Sequence, residues 1–220
     1  MRDSRIFSVA AFIAATIVCA DGSPSSAQTP DAKEKEETVV ITSTDRDDVR
    51  IGAGVVVSKT GSALVVATAA HTVAHGGLTV QTQSGERLNV VKIDTIPGFD
   101  LAVITTSAYV GPVVTAAFGN PTLGGGVHVW GNRVDRSFVE STGSVVDLDP
   151  ALPEGPANGR FAIDCAACDH GDSGGGVFDA DGRLIGILEG ARRYASGDLA
   201  FVQCEPIAPL VTSVVALASH

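Results

Sequence analysis

Basic residues are scarce: 15 Lys and Arg stand against 25 Asp and Glu, a formal charge of −10 over 220 residues. An acidic surface repels phosphate backbones and anionic bilayers, which argues against nucleic acid and membrane surfaces as main partners. No apolar run reaches the roughly 20 residues that a spanning helix needs. Long helical patterns do not interleave with the apolar segments, and no internal repeat is visible. Together these absences point away from α/β and repeat architectures. Cysteine is sparse as well, at 4.

What is present begins with an export signal. Arg2 and Arg5 precede an apolar run from Ile6 to Ala20, and Pro24 with the small-x-small site Ser25-Ser26-Ala27 follows it. This is the layout of a secretory signal over residues 1–27, with cleavage expected after Ala27 and after Ala20 as the alternative. Thr16-Ile17-Val18 makes a poor context for lipid attachment at Cys19. The mature chain is then expected outside the cytoplasm, periplasmic or secreted, with no integral membrane span. Cys165, Cys168 and Cys204 remain after cleavage. In an oxidising compartment an odd set predicts one disulfide and a leftover thiol. Three pairings are possible. Cys204 with either Cys165 or Cys168 is the expectation, because a bridge across an x-x gap closes a very tight loop.

Residues 28–37, QTPDAKEKEE, are polar and charge-dense and read as a flexible, solvated lead-in. From Thr38 the pattern changes to about a dozen short runs rich in Val, Ile and Thr, such as GVVVS, ALVVAT and LIGIL, separated by turn signals. Such spacing predicts an all-β chain folded as barrels or a sandwich. GPVVTAAFGNPTLGGG at 111–126 has the turn residues expected between two halves. Ile207, Leu210, Val211, Val214 and Leu217 fall at helical spacing and predict a terminal helix.

The chemistry centres on DHGDSGGGVF at 169–178. Glycines around Ser173 free the backbone to turn amide groups towards a bound carbonyl. A serine hydroxyl needs a base to become a nucleophile, most often a histidine oriented by a carboxylate. His71 ends the apolar run VVATAAHTV, and Asp100 enters another in GFDLAVI. A carboxylate so placed is costly to bury unless a group such as an imidazole N–H satisfies it. Asp94 is the fallback acid.

GAGVVVS with TAAH, then FDLAV, then GDSGG, together resemble the motifs of trypsin-like serine peptidases of the chymotrypsin fold. The compact spacing, with WGN at 130–132, TGSVVD at 142–147 and DGRLIGI at 181–187, is nearest to the bacterial HtrA-type peptidase domain, without the PDZ domain that usually follows it. The resemblance runs from about Val39 to about Pro206. It implies two antiparallel six-stranded β-barrels: barrel one at about 38–110, barrel two at about 111–205, then a short C-terminal helix at about 206–218, all within a domain spanning 38–220. It implies Ser173 as nucleophile, His71 as general base and Asp100 as its orienting acid, with the N–H groups of Gly171 and Ser173 as the oxyanion hole. Gly171 suits that role if the turn needs a positive φ. The activity implied is hydrolysis of polypeptide substrates through an acyl-enzyme, with neither cofactor nor metal.

Departures from the family pattern qualify the transfer. No IVGG-like segment provides a new N-terminus for the aspartate beside the serine, so Asp172 needs either an arginine or backbone donors instead. CAACDH before the motif differs from either subgroup. By resemblance the specificity pocket has its base near Ala167 and a wall at Leu188, Glu189 and Gly190. Ala167 favours a small-to-medium apolar residue before the scissile bond; Glu189 would argue for a basic one, and Arg192 or Arg193 for an acidic one. His71 with His75, or Cys165 with Cys168 and His170, have metal-like spacing but lack an evident fourth ligand. The alternative functions are a catalytically inactive homologue that binds peptides or a partner, and an esterase using the same residues.

Overall fold

Alternation along three strands places two cores back to back. A computed structural model describes residues 30–45, 48–133, 137–152 and 157–218; the expected signal segment at 1–27 lies outside the described residues. Strands β1 (Thr38–Asp45), β2 (Asp48–Thr60), β3 (Ala63–Thr68), β4 (Thr79–Gln81), β5 (Arg87–Ile96) and β6 (Leu101–Ala108) close into a barrel in the order β1-β2-β3-β6-β5-β4. Val56, Leu64, Val66, Ala102 and Ile104 point into it with Val39, Ile41, Val80 and Leu88. Their neighbours Val55, Val57, Val65, Ala67, Leu101 and Val103 belong to a different cluster on the outside. Both faces are therefore buried over 53–57 of β2, 64–67 of β3 and 101–104 of β6, which is why these stretches read as nearly continuous apolar runs.

Barrel two uses β8 (Gly126–Asn132), β9 (Phe138–Asp147), β10 (Phe161–Asp164), β11 (Gly176–Asp179), β12 (Arg183–Arg193) and β13 (Leu199–Pro206). The sheet order β11-β8-β9-β10-β13-β12 closes through β11–β12 pairing, and the short β7 (Ala117–Phe118) adds in parallel on β12. Its interior holds Val127, Val129, Val145, Phe161, Ile163, Val177, Ile185 and Val202. Trp130, Phe178, Leu184 and Ile187 instead meet the outward residues of barrel one, with Ile207 just before helix α2 (Ala208–Ala218) and Leu210 in its first turn. Phe178 is fully buried there, and burial of a side chain that size is worth about 2–3 kcal/mol. This seam core fixes how the barrels face each other.

Two expectations need correction. Pro30–Glu37, within the segment read as a flexible lead-in, forms helix α1. Glu34 and Glu37 are buried rather than solvated. The Trp130 indole N–H donates to Glu34 Oε2 at 3.0 Å, and Thr38 Oγ1 donates to the Glu34 carbonyl at 2.9 Å. Charge density concealed the helix because two of its acids, Glu34 and Glu37, face the protein. Second, the disulfide joins Cys165 to Cys168, with a Cα–Cα distance of 5.4 Å, and Cys204 is a buried free thiol. The tight x-x loop is accommodated because the chain turns there, the Cys168 N–H donating to the Cys165 carbonyl at 3.2 Å.

Candidate active site

Antiparallel pairing brings the histidine to its acid. β3 runs against β6 with Thr68 opposite Ala102, so the residues just beyond that register, His71 and Asp100, abut. Beyond β3 the chain enters one turn of 3-10 helix, Ala70–Val73, which carries His71. The Ala70 N–H donates to the Asp100 carbonyl at 3.1 Å. The His71 N–H donates to Asp100 Oδ1 at 2.9 Å, and the ring Nδ1 meets Oδ2 at 2.5 Å. Both carboxylate oxygens thus hold one residue. A carboxylate only accepts, so Nδ1 carries the proton and Nε2 is left with its lone pair. The hydrogen bond to Asp100 raises the His71 pKa above its ordinary 6.5, against the opposing effect of burial. The fallback, Asp94, pairs with Lys92 at 2.8 Å on β5.

Ser173 comes from barrel two. Its loop is pressed against barrel one: the Ala53 N–H donates to the Ser173 carbonyl at 2.9 Å. A Cβ on Gly174 would lie 2.3 Å from the Ala53 carbonyl oxygen and 2.2 Å from Thr68 Oγ1, so only glycine permits this approach. Gly171 has φ +101°, the positive value expected of it. A Cβ there would meet the Asn132 carbonyl oxygen at 2.0 Å. Among the described residues, neither the Gly171 nor the Ser173 N–H is engaged in a hydrogen bond within the protein. Asp172 is buried and accepts from the Asp169 N–H at 2.9 Å. Burial raises its pKa, while that bond and nearby Arg133 oppose the rise. Of the two alternatives the sequence left open, Asp172 takes the backbone donor, and Arg133 acts on it only as a nearby charge.

His71 and Ser173 line the same two cavities. One, of about 330 Å³, is formed with Cys168, Asp169, His170, Leu188, Gly190, Ala191, Arg193 and Val202. The other, of about 290 Å³, lies on the side of Val49, Arg50, Ile51, Thr72 and Gly171. The Ser173 hydroxyl donates to the Glu189 carbonyl at 3.0 Å rather than to His71. Leu188 and Gly190, read from the sequence as wall positions, line the first cavity. Ala167 does not: it is exposed, its carbonyl accepts from Arg133 Nη2 at 2.9 Å, and Cys168 stands at the cavity instead. The Glu189 side chain also turns elsewhere, to Arg192 at 3.0 Å and to Gln203 Nε2.

Behind the histidine lies a buried charge network that the sequence reading missed. Glu205 is fully buried; its Oε1 accepts from the Asp100 N–H at 3.0 Å and from Arg160 Nε at 2.8 Å. Burial and then the proximity of Glu205 push Glu189 up to about 7. Cys165 and Cys168, considered as metal ligands, are consumed by their disulfide.

A family model for the trypsin-like peptidase domain matches residues 52–187. The chain belongs to this family. The peptidase domain is 34% identical over 140 residues to a "Probable periplasmic serine endoprotease DegP-like" of Brucella suis, covering 62% of this chain and 26% of that protein. It is 29% identical over 183 residues to a "Serine protease HtrA-like" of Staphylococcus epidermidis, covering 77% of this chain and 31% of that one. The chain therefore spans about a quarter to a third of the length of these curated relatives. Among solved structures, the HtrA-type protease AlgW with a tripeptide superimposes with a TM-score of 0.71 at 20% identity, over 87% of this chain and 63% of that one. The HtrA-type, chymotrypsin-like fold of this peptidase domain is thereby shown. No helix among the described residues is long and apolar enough to cross a membrane.

Proposed function

We propose that this peptidase domain is an exported serine endopeptidase that cleaves polypeptides through an acyl-enzyme. The observation that carries the reading is the grip of both Asp100 oxygens on His71, in a cleft that Ser173 shares. That grip leaves Nε2 free to accept a proton. Rotation of the Ser173 side chain away from the Glu189 carbonyl brings its hydroxyl to Nε2, and such bonds commonly tighten only when substrate arrives. Ser173 then attacks the scissile carbonyl while His71 takes its proton and later returns it to the leaving amine. The unengaged Gly171 and Ser173 N–H groups stabilise the oxyanion, each such donor being worth about 3–4 kcal/mol in the transition state.

Asp169, His170 and Arg193 line the cavity beside Ser173 together with Leu188, Ala191 and Val202; its apolar part supports a small-to-medium apolar residue before the cut. The signal-like residues 1–27 and the periplasmic relative support export. The Ser173–Glu189 bond favours a second reading, a homologue that binds peptides without cutting them. A fluorophosphonate probe decides between them. Adduct on Ser173 that vanishes in His71→Ala supports the enzyme; a mature protein that binds library peptides yet never labels or cleaves refutes it.

A further inference from the structure

The reacting groups are divided between the barrels: His71 and Asp100 lie at the edge of barrel one, Ser173 in a loop of barrel two. Their alignment depends on what spans the seam at Asp100. The apolar seam core fixes the barrels as bodies, but dispersion is non-directional and does not set one turn to a fraction of an ångström. Glu205, on β13 of barrel two, reaches across with a directional contact. Its carboxylate accepts the Asp100 N–H at 3.0 Å. Arg160, just before β10, holds the same oxygen at 2.8 Å and donates from Nη2 to the Gly98 carbonyl at 3.0 Å. Its guanidinium also lies over the Phe99 ring, 5.3 Å from the centroid. Three consecutive residues, Gly98, Phe99 and Asp100, are thus clamped by two side chains of the other barrel.

A fully buried carboxylate such as Glu205 is costly unless charge and donors compensate it. Arg160 does so from one side. From β12, Glu189 adds negative charge, itself drawn off by Arg192 and Gln203. The Asp100 carboxylate is not the group Glu205 touches; Glu205 holds the backbone behind it. So expensive an arrangement, aimed at the one backbone N–H of the acid that grips His71, is more than packing requires.

We propose that Glu205, fixed by Arg160, is a positioning residue that sets the Asp100 turn from the opposite barrel, so that Asp100 meets His71 in register with Ser173. The role rests on the proposed peptidase reading. Glu205 touches no substrate and moves no proton; it acts through Asp100. Glutamine at 205 retains an oxygen for the Asp100 N–H, whereas leucine removes it. Lysine at 160 retains charge but cannot reach both Glu205 and the Gly98 carbonyl.

The test compares Glu205→Leu, Glu205→Gln and Arg160→Lys in the mature chain by peptide cleavage, and by NMR titration of His71. Glu205→Leu should lower kcat by about 10- to 100-fold, the scale of small misplacements at a reacting centre. KM should move less than about twofold, and the His71 pKa should fall back towards 6.5. Glu205→Gln should stay within about threefold of wild type, and Arg160→Lys should fall between the two. If Glu205→Leu does not fold, Arg160→Lys alone decides. Folded variants with wild-type kcat and an unmoved His71 pKa overturn the proposal. If wild type neither cuts nor labels, yet His71 shifts in these variants, the peptidase reading fails while the positioning role stands.

Discussion

Replacing Asp100 with asparagine tests the dyad most directly. The substitution keeps volume and leaves one oxygen, which can still accept the His71 N–H now bound at 2.9 Å. The other position becomes an NH₂ group facing Nδ1, where a proton sits at present. Two donors cannot face each other, so the imidazole must move its proton to Nε2, the atom required as base. A second loss is electrostatic. Unit charges about 4 Å apart attract by about 4 kcal/mol at an effective dielectric of 20. The His71 side chain is 49% exposed, and solvent reduces that figure to roughly 2–3 kcal/mol. At 1.4 kcal/mol per tenfold this is about 30- to 150-fold, and the wrong tautomer brings the expected fall in kcat to about 10³–10⁴, the scale known for this substitution in the family. The pH profile is an independent readout. In the proposed mechanism His71 must be neutral to act, and Asp100 raises its pKa, so the acid limb of kcat/KM should lie above 6.5 in wild type and drop in Asp100→Asn. Cleavage of a fluorogenic peptide between pH 5 and 9 measures both. An Asp100→Asn protein with an unchanged limb and kcat within tenfold of wild type would refute the dyad.

Further outcomes follow from other parts of the molecule. Glu37 is held up to about 7 by burial; its folded pKa exceeds the unfolded 4.5, so the fold loses stability as pH rises from 4.5 to 7. Glu37→Gln should therefore raise Tm at pH 8 and leave it nearly unchanged at pH 4.5, with the single Trp130 as the fluorescent reporter; equal shifts at both pH values would contradict the buried acid. Gly171→Ala forces a side chain into φ +101° and onto the Asn132 carbonyl, and should cut Ser173 labelling by more than about 100-fold, while far-UV circular dichroism keeps its β signature. Phe178→Ala opens a cavity in the seam core and should cost about 3–5 kcal/mol in urea unfolding; a cost below 1 kcal/mol would show that the seam is not packed as described.

Strand composition made the barrels legible because both faces of β2, β3 and β6 are buried over 53–57, 64–67 and 101–104, and apart from Gly54 every residue in those stretches is Val, Ile, Leu or Ala. The same logic failed on α1. Its lysines and glutamates look like a solvated tail when counted; the buried Glu34 is met by the indole of Trp130 and the buried Glu37 by Lys33 of the same helix. The disulfide was misjudged by reasoning from loop length alone; the local turn that closes Cys165–Cys168 depends on backbone conformation, which composition does not encode.

At the site, the sequence singles out His71, Asp100 and Ser173 because each stands in a motif with chemical meaning of its own, and the fold sets His71 against Asp100 and lines the same cavities with His71 and Ser173. Ala167 was misplaced because the loop before the glycines departs from the family pattern, and the turn through the disulfide puts Cys168 at the cavity in its stead. Glu205 went unnoticed although the argument that picked out Asp100 applies to it equally. FVQCEP carries a lone carboxylate in an apolar strand, and such a charge must be paid for by specific partners. Its partners, Arg160 and the Asp100 N–H, lie 45 and 105 residues away, so no local pattern announces them. An isolated acid within a β-rich core segment is thus best read as the near end of a long-range contact, and the groups worth seeking at its far end are the backbone donors of a functional turn.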